Sequence, residues 1–142
     1  MTEQELNSVR ELKKRIRDLE SHLQSLRTAA ENLTPILDGL PHSTERKSRV
    51  EKIALMIVED TRELESLRKE LIPAKSKLAD IILREVEDIT VQTLLVLRYV
   101  ECCPVKEVAR RMQYSVRAVF KMHAHFLKEF IRGHTRALLR TF

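Results

Sequence analysis

The apolar positions nearest the amino end step by alternating threes and fours. Val9, Leu12, Ile16, Leu19, Leu23, Leu26, Ala30 and Leu33 form a heptad seam, the pattern that winds one helix against another. Thr34-Pro35 predicts the stop, because a residue before proline avoids the helical region. The stretch PILDGLPHST, with two prolines and a glycine, reads as a turn or short loop. A second seam follows: Val50, Ile53, Ile57, Asp60, Leu64, Leu67, Leu71, Ala74, Leu78 and Ile81. Ser43 or Thr44 is a candidate cap for it. Asp60 is its one polar member, the kind of residue that sets register or oligomer state. Pro73 predicts a kink or interruption, since it lacks an N–H and clashes one turn back.

Two seams joined by a loop predict an antiparallel coiled-coil hairpin. Two helices alone bury little surface, so pairing with a second copy into a four-helix arrangement is expected. Leu12, Ile16, Leu19, Leu23, Leu26, Ile53, Ile57, Leu64 and Leu67 are the candidate oligomerisation residues of a homodimer or higher homo-oligomer. A core closed within one chain stays open as the alternative, because stripes do not determine oligomer state.

The pattern changes after Ile89. Thr90 is a candidate N-cap for a helix to about Glu101, with Val91, Leu94, Leu95, Leu97 and Val100 as its apolar residues. Cys102-Cys103-Pro104 breaks that helix, and Pro104 suits the first turn of the next. There Val105, Val108, Ala109 and Met112 mark one buried face. Gln113-Tyr114 then reads as a turn, and Ser115 as the cap of a further helix. On a helical wheel Met122, Phe126 and Phe130 fall on the side of Val119, whereas Arg117, Lys121, His125, Lys128 and Arg132 fall opposite. The expected fold is therefore all-α: a helical hairpin over residues 1–85, then a helix-turn-helix domain over residues 86–142.

Composition agrees and narrows the chemistry. The 142 residues include only two glycines and four prolines, which favours helix. No apolar run of about 18 residues exists to span a membrane. The amino end lacks an apolar signal core, so a cytoplasmic location is expected. Charge is unevenly placed: residues 1–97 hold 16 Lys/Arg and 18 Asp/Glu, net −2, whereas residues 98–142 hold 10 and 3, net +7. A basic module attached to a balanced one suggests a polyanion partner. All six aromatics also lie in the last third, which predicts a bulky core there.

A helix with an apolar back and a cationic front, set across a short turn from another, suits a DNA major groove. Its front face carries almost no acid, with Glu129 only at the edge, unlike a solvated face of mixed sign. An enzyme is not expected, because two glycines cannot build phosphate loops and no nucleophile motif is present. No cofactor is implied. Cys102, Cys103, His123 and His125 lack tetrahedral zinc spacing.

The run Glu107-Val108-Ala109-Arg110-Arg111-Met112-Gln113-Tyr114-Ser115-Val116-Arg117-Ala118-Val119 resembles the helix-turn-helix of the fourth region of bacterial sigma factors. Gln113 departs from the glycine common in the turn of repressor-type motifs. Most of residues 20–131 resembles small phage and prophage proteins of the ArpU and RinA kind, including the loop Thr34-Pro35-Ile36-Leu37-Asp38-Gly39-Leu40-Pro41-His42. That resemblance implies a sequence-specific transcription regulator acting on late phage genes, alongside a host RNA polymerase. By position it implies that Val116, Arg117, Ala118, Lys121 and His125 face double-stranded DNA, with Arg110 and Arg111 as candidates for phosphates; Ser115 and Lys128 complete the candidate DNA-binding residues. A complete sigma factor is not expected, since residues 1–98 lack the exposed aromatics that melt a promoter. Two rival readings remain: a small terminase subunit, and a coiled-coil adaptor that binds polymerase without reading DNA.

Overall fold

Leu, Glu, Lys and Arg dominate the two stretches that carry the seams, and these residues lose little side-chain freedom in a helix. In the computed structural model they form helices throughout. It describes the backbone of residues 1–33 and 43–140, and the side chains of 1–33, 45 and 47–133. The elements are α1 (Glu3–Leu33), α2 (Ser43–Glu85), α3 (Ile89–Leu95), a π-helical turn (Val96–Val100), α4 (Val105–Met112) and α5 (Val116–Arg140). No strand occurs among the described residues, and no helix is long and apolar enough to cross a membrane. The loop read at 34–42 lies outside the described residues, as do the side chains of Ser43 and Thr44 and of the tail from His134.

The chain divides into two compact units, Glu11–Pro73 and Met1–Arg10 together with Ala74–Phe142. The ends of α1 and α2 thus group with the C-terminal helices instead of with the hairpin expected over 1–85. In the first unit Leu12, Ile16, Leu23, Leu64 and Leu67 are buried, and Leu19, Leu26, Ile53 and Ile57 are half-buried. The helices are antiparallel: from Arg15 to His22 on α1 the partner on α2 falls from Glu63 to Asp60. Arg15 meets Glu63 at 3.5 Å, Glu20 meets Arg68 at 2.7 Å, and His22 Nδ1 meets Asp60 Oδ2 at 2.6 Å. Asp60, the odd polar residue of the seam, thus has a cross-helix partner that opposes register slippage. Of the nine seam residues proposed for oligomerisation, five are thus buried within one chain and four are half-buried.

In the second unit Leu6, Val9, Leu78, Ile81, Ile82, Leu94, Leu95, Tyr99, Val100, Cys103, Val108, Ala109 and Val119 are buried. Four expectations change here. Pro73 neither ends nor splits α2; buried Leu64 and Leu67 before it and Leu78 and Ile81 after it hold the helix against a loss of roughly 3 kcal/mol. The cap of α3 is Asp88, not Thr90: its carboxylate accepts from Thr90 N–H at 2.8 Å and Val91 N–H at 3.4 Å. The α-helix expected to reach Glu101 stops at Leu95 and widens into the π-helical turn. The five described aromatics do not form one core. Tyr99 is buried, Phe126 and Phe130 are half-buried, and Tyr114 and Phe120 are exposed.

Candidate nucleic-acid interface

α4 closes on a left-handed residue. Gln113, at φ 59 and ψ 37, lets Tyr114 N–H reach back to Ala109 C=O at 3.0 Å, which satisfies a carbonyl the helix end would leave open. Two residues later Ser115 Oγ accepts from Ala118 N–H at 3.1 Å and caps α5. Residues 113–115 are therefore a tight turn with hydrogen bonds on both sides. Val108 and Ala109 on α4 and Val119 on α5 are buried, so the two helices are held by packing on either side of that turn.

The other side of α5 is open. Arg117, Lys121, His125 and Lys128 are exposed, and none of the three permanent cations has an ion-pair partner among the described residues. Val116 is exposed at the front, beside the half-buried Ala118. Arg132, on the same side, differs because it pairs with Glu129 at 3.3 Å. On the apolar side Val119 is buried, while Met122, Phe126 and Phe130 are only half-covered.

Arg110 and Arg111 are exposed on α4 but already engaged. Arg110 grips the Glu107 carboxylate through Nη2 at 2.5 Å and Nε at 3.1 Å, and Arg111 Nε donates to it at 3.0 Å. The two guanidinium hydrogen bonds, Arg110 first, lower the Glu107 pKa to about 2. Glu107 thus stays ionised and offsets one of the two charges. Its i+3 and i+4 spacing to the arginines makes this visible in the sequence, yet a reading weighted to net charge passes over it. Tyr114 and Phe120, exposed beside the cationic side, were also missed as candidates. The signal for Phe120 was its position a quarter-turn from Val119.

Behind α5 lies a polar cluster. Arg10 stacks over the Tyr99 ring at 4.1 Å and donates to Arg98 C=O at 3.2 Å. Tyr99 Oη and His123 Nε2 are 2.7 Å apart. Burial raises the Tyr99 pKa, and burial, then Arg98 and Arg10, lower that of His123. His123 therefore belongs to the cluster behind α5, where its charged form is disfavoured. Among the described residues no three His, Cys, Asp or Glu side chains gather to hold a metal.

Comparison of the chain with protein-family models, curated proteins and solved structures finds no match.

Proposed function

We propose that this chain is a sequence-specific DNA-binding transcription regulator that sets the front of α5 in the major groove. The observation that carries the reading is the unpaired cationic side of α5, opposite a buried Val119 and beginning at a capped tight turn. Lys121, Lys128 and the arginines of α4 supply salt-dependent attraction to phosphate. Arg117, the second residue of α5, has the guanidinium fork that reads guanine in bidentate fashion. Val116 and Ala118 beside it suit contact with a thymine methyl. Ser115 keeps its hydroxyl proton for a phosphate while its oxygen caps the helix. The likeness to ArpU- and RinA-type proteins supports a phage-encoded role in late transcription, and the sigma-like run supports action beside a host polymerase in the cytoplasm.

Binding to the genomic DNA around the gene, located by footprinting and compared with a scrambled duplex, tests this. Arg117→Ala lowers preference for the footprinted site, by roughly 1–3 kcal/mol of discrimination. Lys128→Ala weakens both duplexes alike. Equal losses from the two variants would overturn the role assignment. An adaptor role has its own support in Leu55, Met56 and Val58, which stand exposed on α2; absence of duplex binding at low salt selects it. A ring of eight or more copies in solution would instead select the packaging role.

A further inference from the structure

α3, the π-helical turn, α4 and α5 line a cavity of about 150 Å³ through Leu94, Arg98, Val105, Val119, Phe120 and His123. We propose that it binds a small organic monocarboxylate, with the carboxylate on Arg98 and a short apolar body among Leu94, Val105 and Val119. The site is independent of the DNA reading.

Three observations converge on it. First, the local charge is uncompensated. Arg98 and Arg10 are both half-buried, and neither has a carboxylate partner among the described residues. Arg98 spends one donor on Cys103 C=O at 3.0 Å, and the guanidinium keeps further N–H groups for a ligand. Half-buried cations without a counter-charge favour an anion beside them. Second, His123 uses Nε2 on Tyr99, and its Nδ1 has no hydrogen-bond partner among the described residues. An open ring nitrogen therefore sits on a residue of the cavity wall. Third, the backbone beside the cavity is irregular. The chain widens from α to π at Val96–Val100 and then turns through Cys102 at φ 57. Such segments are costly and concentrate at functional sites. Here the widened turn carries Arg98 itself.

Size selects the class of ligand. An apolar cavity near 150 Å³ admits about one benzene ring, so an aryl or short-chain carboxylate fits and a nucleotide does not. Leu94 and Val119 are fully or nearly fully buried, which makes the inner wall apolar and disfavours a free inorganic anion.

Benzoate is the probe, titrated into the full chain and followed by amide chemical shifts in NMR, with benzyl alcohol as the uncharged control. Benzoate is expected to saturate with a Kd on the order of 1 mM, given its few non-hydrogen atoms. Benzyl alcohol should bind about tenfold more weakly or worse, having lost the charge-assisted hydrogen bonds. Arg98→Gln removes the charge and Val105→Met fills the cavity from α4; each should weaken benzoate at least about tenfold. Arg98 also ties down Cys103, so if Arg98→Gln fails to fold, Val105→Met decides alone. Absence of saturation, equal binding of the alcohol, or full-strength binding by Val105→Met would each overturn the proposal.

Discussion

The hairpin of residues 11–73 and the unit formed by residues 1–10 and 74–142 are built from the same secondary structure but stabilised differently. Among the described residues, the hairpin buries five apolar side chains, along one stripe of each helix. Its seam residues repeat at heptad intervals, and its cross-helix ion pairs lie at the surface. The other unit buries thirteen. It also carries both left-handed residues found among the described positions, Cys102 and Gln113, and the π-helical turn. Regularity marks the scaffold, and local irregularity marks the part with chemistry to do. Short helices at sharp angles need tight turns, and those turns place side chains that a continuous helix cannot.

Core truncation should break or confirm this contrast most strongly. Leu94 is completely buried, and Leu94→Ala is expected to lower stability by about 3–5 kcal/mol. Leu67 lies on a two-helix stripe that can partly collapse, so Leu67→Ala should fall nearer 2 kcal/mol. Urea unfolding of both variants measures the difference. Equal losses would erase the distinction between a thin seam and a true core.

The turn offers a smaller test. Gln113 occupies a conformation that disfavours side chains with a Cβ, so Gln113→Gly should stabilise the chain by roughly 0.5–1 kcal/mol. A loss in thermal melts would mean that the Gln113 side chain contributes something its backbone geometry does not reveal. The third test separates the units by function. Glu107→Gln releases Arg110 and Arg111, and duplex affinity should rise about two- to fivefold at low salt. Glu63→Gln, which removes a comparable acid from the hairpin, should leave it unchanged. With the Glu107 pKa near 2, acidification does not imitate this release until pH falls far below neutrality. The folded-state pKa lies below the usual carboxylate value, so the pairing is present above that value and is lost as pH falls through about 2.

How much of this was legible followed the same divide. The hairpin seams could be read from spacing alone, because a helix of period 3.6 exposes its buried face in any linear sequence. The cap at Ser115 and the turn at Gln113-Tyr114 were also legible, since they rest on local hydrogen bonds. The cap of α3 was placed two residues late, because Asp88 and Thr90 are both capable caps and only packing chooses between them. Pro73 was expected to kink or interrupt α2; the helix is not interrupted, since the local penalty of the proline competes with seam contacts on either side. The π-helical turn had no signature in the local sequence; Tyr99 and Arg98 within it meet Arg10, from a distant part of the chain. The cationic side of α5 was legible residue by residue, whereas the engagement of Arg110 and Arg111 by Glu107 required attention to pairs.

The central claim is that α5 presents an unpaired positive side to duplex DNA. Its most direct measurement is the affinity of the full chain for the footprinted duplex across a range of salt, with Arg117→Ala/Lys121→Ala alongside. The account predicts log affinity falling linearly with log salt, a slope shallower by about 2 units in the double variant, and loss of site preference. Salt-independent affinity, or a double variant that binds like the parent, would contradict it.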